Sequence, residues 1–176
     1  MQFTETHLKG AFFVDIRKIE DDRGYFGRAY CRKEFMDHGL MSEMVQTNVS
    51  FNKMKGTLRG FHFQNPPHEE AKLVRCTRGA IYDVIVDLRL ESPTYLQWVG
   101  IELSEANSRM LYVPETFGHA FITLEDDTAV TYQVSHFYTP GAEGGIRWND
   151  PTIGVKWPVE PKVISEKDQQ WPDVVK

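Results

Sequence analysis

The sequence predicts an all-β protein, a β-sandwich or barrel with a few short helices. Three observations lead there. Short segments rich in β-branched and aromatic residues recur along the chain, bounded by Gly, Pro, Asp or Asn. Segments with helical periodicity are few and short. Internal repeats, low-complexity runs and linkers are missing, so the 176 residues are expected to form one domain, 1–176.

Taken in order, "GAFFVDIRKI" (10–19) reads as a strand. "CRKEFMDHGL" (31–40) reads as a helix closed by Gly39. "KLVRC" (72–76) and "AIYDVIVDLRL" (80–90) read as a hairpin joined through "TRG", with Gly79 able to take a positive φ. "SEANSRM" (104–110) is a second helix candidate. "MLYVPE" (110–115) and "TAVTYQVSHFY" (128–138) read as strands. "SEKDQQW" (165–171) begins a third helix, with Ser165 at the N-cap and an acid, Asp168, three residues on.

Composition narrows the function. The net charge of −5 and pI near 5.7 argue against a polymeric nucleic-acid partner, which needs a basic face. A small anion needs only a few local arginines. No run approaches the roughly 18 apolar residues of a membrane span, and "MQFTETHLKG" lacks the pattern of a signal peptide. Cys31 and Cys76, the only cysteines, suit free thiols in a reducing compartment. A cytoplasmic protein is expected.

The chemistry concentrates in "LRGFHFQNPPHEEAKLVR" (58–75). Period two places Lys72, Val74 and Cys76 on one strand face, and Val130, Tyr132, Val134 and His136 on another. A lysine on an apolar face must pair or lose its charge. Leu58, His62 and Gln64 share a face, with Arg59 opposite unless Gly60 marks a bulge. Three readings of the histidines compete. They are hydrogen-bonded structural residues; or His62, His68, Glu69 and His119 ligate a metal, although the spacing suits one poorly; or His62 does metal-free acid–base chemistry beside Lys72.

Several separated motifs then carry a resemblance. "DDRGYF", "VQTNVSFN", "TLRGFHFQNPP", "EAKLVR", "GAIYDVIVDLR", "LYVPETFGHAF", "YQVSHFYTPGAEGGIRWNDPTIGVKWP" and "ISEKD" occur in order from about residue 10 to residue 172. Together they resemble the dTDP-4-dehydrorhamnose 3,5-epimerase family. The resemblance implies a cupin jelly roll, a homodimer, no metal or other cofactor, and inversion of carbons on a nucleotide-linked 4-keto-6-deoxyhexose. The leading substrate is dTDP-4-dehydro-6-deoxyglucose, giving the L-rhamnose precursor. Alternatives are a CDP- or other nucleotide-linked keto-sugar with one carbon inverted, a metal-dependent cupin oxygenase or isomerase, and a catalytically silent sugar-nucleotide-binding cupin.

By resemblance, His62 is the base and Asp168 orients it. Lys72 lies near the keto oxygen, and Tyr132 is the acid on the far side of the sugar. Arg23 and Arg59 bind phosphate, while Gln46 and Asn48 line the nucleotide site. His119, Glu143 and Lys167 contact sugar or phosphate, Tyr138 stacks on the ligand, and Phe26 touches the base. The segment around Arg23 and Phe26 reaches in from the partner subunit. Glu70 stands where glutamine is common, a departure expected to be tolerated. Arg28 stands where many members carry a glutamate that reads thymine, and a guanidinium only donates. Either Arg28 weakens the preference for thymine in favour of a CDP-linked sugar, or it turns outward or pairs with an acid such as Asp21 or Asp22 while a backbone group reads the base; dTDP remains the leading nucleotide.

Overall fold

The computed structural model describes residues 1–174. Its strands are β1 (Gln2–Glu5), β2 (Phe12–Asp15), β3 (Ile19–Asp21), β4 (Gly24–Phe26), β5 (Gln46–Asn52), β6 (Thr57–Gln64), β7 (Lys72–Arg78), β8 (Ala80–Asp87), β9 (Trp98–Ser104), β10 (Met110–Val113), β11 (Phe117–Thr123), β12 (Thr128–Val134), β13 (Glu143–Gly145) and β14 (Val163–Ile164). Helices α1 (Arg32–Asp37) and α2 (Glu166–Gln169) complete it. One sheet runs β1-β2-β10-β7-β12-β5 and a second runs β13-β6-β11-β8-β9, with β14 pairing parallel to β6. Two face-packed sheets of this kind form the cupin jelly roll.

Alternation builds the core. Val74, Cys76, Leu111 and Val130 point inward from the first sheet and meet Ile81, Ile85, Leu103 and Phe121 from the second. The outer face of the first sheet is covered by Phe35 of α1, packed on Leu73, Met110 and Tyr112. The outer face of the second carries Phe61, Val84 and Ala120 beneath Ile146 and Ile153. Helix α1 ends as expected: Gly39 donates to the Met36 carbonyl and Leu40 to that of Phe35, satisfying the last turn.

Three expectations need correction. Strands β7 and β8 are consecutive but do not form a hairpin: β7 pairs with β10 and β12, β8 with β11 and β9. Gly79 has the expected positive φ of 73°, but the turn carries the chain from one sheet to the other. A Cβ at Gly79 would lie 2.6 Å from Thr128 Oγ1, so the corner is packed against the start of β12. "SEANSRM" is a turn, not a helix. The Asn107 side chain accepts from the backbone N–H of Ser104 and of Arg109, offering the chain an alternative to helical bonding. Strand β12 stops at Val134, so His136 reaches the site from a loop rather than from the strand face.

Candidate active site

An open cavity of about 590 Å³ lies between the sheets. The first sheet contributes Gln46, Asn48 and Ser50 from β5, Lys72 from β7 and Tyr132 from β12; the second contributes Arg59, His62 and Gln64 from β6 and His119 from β11. Glu143 of β13 and Tyr138 stand at the mouth. The cavity therefore has reactive groups on two opposing walls.

Arg59 and His62 share a wall because β6 bulges. His119 is opposite His62, while Phe121, two residues on, is opposite Arg59, three residues back. The extra residue lies at Gly60, whose φ is 115°. A Cβ there would come within 2.5 Å of Ala120 Cβ and the His119 carbonyl, so only glycine fits. The bulge turns Arg59 onto the face that strict alternation would deny it.

His62 Nε2 lies 2.6 Å from Asp168 Oδ1. The carboxylate comes from α2, where Ser165 caps the helix by accepting from the Asp168 backbone N–H at 3.1 Å. The Asp168 side chain is thus free of capping duty. Its Oδ2 instead accepts from the Gly60 N–H at 3.2 Å. Burial opposes ionisation of Asp168, but hydrogen bonds from His62 and the Gly60 N–H, with Ser165 nearby, outweigh it and hold the carboxyl below its ordinary value. With Nε2–H donating to Asp168, the other imidazole nitrogen, Nδ1, is the basic one, on a side chain 42% exposed.

Lys72 is buried, as its place on an apolar face requires, and it is paired. Its ammonium lies 3.2 Å from Glu70 Oε1 and donates to the His62 carbonyl at 3.3 Å. Tyr132 is flanked by Asn48 on β5 and Val74 on β7. Burial raises its phenol above the ordinary value; Arg59 opposes that shift and Glu70 adds to it. The side chain therefore carries its proton at neutral pH.

Arg59 is aimed by a residue that sequence reasoning missed. Asn52, almost fully buried, accepts from Arg59 Nε at 2.7 Å and donates to the carbonyls of Ser50 and Thr128. Gln46, Asn48, Ser50 and Asn52 fall at every second position of β5, so period two carried the signal for all four. Gln46 donates to Asn48 Oδ1 and accepts from the Tyr138 N–H. Lys167 and Glu143 bond to each other at 2.5 Å beside the mouth. His119 is buried against Asp83, Nε2 to Oδ1, 2.7 Å.

Arg23, Phe26 and Arg28 are not brought to this cavity. Arg23 and Phe26 lie on the β3–β4 hairpin, Phe26 73% exposed and Arg23 paired with Asp21. Arg28 binds Glu34 at 2.6 Å, rather than Asp21 or Asp22. Among the described residues no three His, Cys, Asp or Glu side chains gather to hold an ion, and His68 packs edge-on against His136.

The family model described as dTDP-4-dehydrorhamnose 3,5-epimerase matches residues 5–176. A Sinorhizobium fredii protein of that name is 42% identical over 175 residues, 99% of this chain and 90% of its own. The crystal structure of the Bacillus anthracis protein of that name, with TDP and PPi bound, superposes with a TM-score of 0.95 at 42% identity, covering 98% of this chain and 99% of that one. A Legionella pneumophila 3,5-epimerase in complex with dTDP-4-keto-L-rhamnose gives 0.92 at 33%, covering 98% and 92%. The chain belongs to the dTDP-4-dehydrorhamnose 3,5-epimerase family of isomerases.

Proposed function

We propose that this enzyme inverts C3 and C5 of dTDP-4-dehydro-6-deoxy-D-glucose, giving dTDP-4-dehydro-L-rhamnose. The observation that carries the reading is the placement of His62 and Tyr132 on opposing sheets of one cavity. Inverting a carbon requires a base on one face of the sugar and an acid on the other.

The 4-keto group acidifies the hydrogens at C3 and C5. His62 Nδ1 removes one as a proton, and the electron pair moves onto the C4 oxygen. The Lys72 ammonium stabilises that enolate. Tyr132 then delivers its proton to the opposite face of the carbon. Proton transfer from His62 to the phenolate through solvent restores the site. Arg59, anchored by Asn52, holds the diphosphate with its free guanidinium nitrogens, and Gln46 and Asn48 face the nucleoside. His119 and the Glu143–Lys167 pair contact sugar or phosphate, and Tyr138 stacks over the ligand at the mouth.

The enzyme works as a homodimer on this reading. Ile19, Tyr25 and Phe26 expose 64%, 47% and 73% of their surface on the β3–β4 hairpin. Such a projection is suited to cover a second copy's cavity and to bring Arg23 to its phosphates. Among the described residues no helix is long and apolar enough to cross a membrane, and the two free thiols suit the cytosol.

Proton NMR of the keto-sugar nucleotide in deuterated water tests the chemistry. Deuterium should enter at C3 and C5 with change of configuration; no incorporation would overturn the reading. Tyr132→Phe, which keeps the ring, should wash out hydrogen without forming epimer. For the dimer, His62→Ala and Arg23→Ala are each expected to be inactive or impaired alone, and mixing them after subunit exchange should restore activity at one site per heterodimer. Failure of the mixture would place Arg23 outside the partner's site.

A further inference from the structure

We infer that Glu70 is a positioning residue for the reaction: by holding the Lys72 ammonium against the backbone carbonyl of His62, it leaves one N–H free for the sugar's C4 oxygen. The inference rests on the epimerase reading above.

An ammonium carries three N–H donors. One donates to the His62 carbonyl at 3.3 Å, and the ammonium is held as an ion pair 3.2 Å from Glu70 Oε1. At least one N–H remains for the cavity that Lys72 lines. A lysine side chain has four torsions and, left alone, samples many positions. Two fixed acceptors remove that freedom before substrate arrives, which is how an oxyanion donor is preorganised.

Glu70 is itself held firmly. The next residue, Ala71, bonds Ser135 twice: its N–H donates to Ser135 Oγ at 2.8 Å, and its carbonyl accepts from the Ser135 N–H at 3.0 Å. The Glu70 side chain retains only 8% of its exposure. The contact also crosses the sandwich. Lys72 belongs to the first sheet, and the carbonyl it reaches belongs to the base in the second. The group that removes hydrogen from carbon and the group that stabilises the neighbouring oxygen are thus tied to one residue, His62.

Burial of Glu70 is a poor choice for stability alone. Its Oε2 is buried with no partner, which costs the fold. Retaining one oxygen on Lys72 at that cost fits a role in the reaction.

The test is the rate of solvent deuterium exchange in Glu70→Ala and Glu70→Gln, alone and combined with Lys72→Met. Because the enolate exists only after the C–H bond breaks, Glu70→Ala should lower kcat about 10–100-fold and leave KM within about twofold. Glu70→Gln keeps an acceptor oxygen at the same reach and should recover activity to within about threefold of wild type. Adding Glu70→Ala to Lys72→Met should cost nothing further. Glu70→Met fills the space without an acceptor and replaces Glu70→Ala if that variant does not fold. The inference is overturned by wild-type kcat in Glu70→Ala or Glu70→Met, by no recovery in Glu70→Gln, or by losses that multiply with Lys72→Met. A wild-type enzyme that exchanges no deuterium would instead sink the epimerase reading, whatever Glu70 does.

Discussion

Two histidine–aspartate pairs face one another across β6 and β11. His62 and His119 are direct cross-strand partners, and each places Nε2 against an aspartate Oδ1, at 2.6 and 2.7 Å. By that measure they are alike. They differ in what surrounds them. The His62 side chain is 42% exposed and the His119 side chain 9%. Asp168 has both oxygens engaged, whereas Asp83 Oδ2 is buried without a partner. Asp168 arrives from a distant helix, Asp83 from the neighbouring strand. A hydrogen-bonded imidazole becomes a usable base when its second nitrogen is open and its partner stays ionised. His62 meets both conditions; His119, mostly closed in, ties β11 to β8 and offers the cavity only a contact, not an open base.

The largest contrast should come from alanine at each histidine. His62→Ala should reduce exchange at C3 and C5 by about 10²–10⁴-fold with dTDP affinity nearly intact. His119→Ala should show its main effect in denaturant unfolding, at about 1–3 kcal/mol, because it leaves the buried Asp83 side chain without its hydrogen-bond partner. Comparable losses of chemistry in both would erase the distinction.

At the acids the effect should shrink but keep its direction. Asp168→Asn preserves shape and removes the charge that orients His62, so kcat should fall on the order of 10²-fold. Asp83→Asn should leave kcat within about threefold. Steady-state kinetics on the two variants decides.

Asp87, at the end of β8, is a control with a satisfied carboxylate and no histidine. Burial would raise its carboxyl, but Arg89, Ser92 and Thr94 bring it down to about 2. A carboxyl depressed in the folded state stabilises the fold above its unfolded value and loses that contribution as pH falls. Asp87 should therefore contribute about 2 kcal/mol above about pH 4, lost between about pH 4 and pH 2. Urea unfolding at pH 7 and pH 3 should show a smaller acid loss in Asp87→Asn than in wild type, with catalysis at pH 7 unaffected.

The smallest effect concerns the phosphate end. Asn52→Ala releases Arg59 and should weaken dTDP about tenfold while leaving thymidine unchanged. Calorimetry that finds both ligands weakened equally would return Asn52 to a purely structural role.

Much of this was legible in the sequence. Alternation and turn residues announce the strands, and a lysine in phase with Val74 and Cys76 is conspicuous whatever the fold. The hairpin expected at 72–90 shows where local reading ends. Gly79 announces a turn, but which sheet receives the next strand depends on partners far away in sequence. Arg59 was readable only conditionally, through Gly60. Its anchor Asn52, and the Glu34 that occupies Arg28, are contacts made by tertiary packing, with no periodic signal linking the partners. Glu70 was visible as a departure from a pattern, and its meaning emerged once Lys72 stood beside it.

Asp168 reaches the cavity on the last stretch of chain. That stretch holds on through the two-residue pairing of β14 with β6, Trp171 seated on Gly145, and bonds from Arg147 to Pro172 and Asp173. Arg59, His62, Lys72 and Tyr132, by contrast, sit within paired sheets. Local detachment of residues 163–174 would thus unhook the base while the sandwich stays folded. Thermal inactivation should begin below the melting transition and reverse on cooling, and a protease cutting between residues 158 and 162 should yield a folded, ligand-binding and inactive protein.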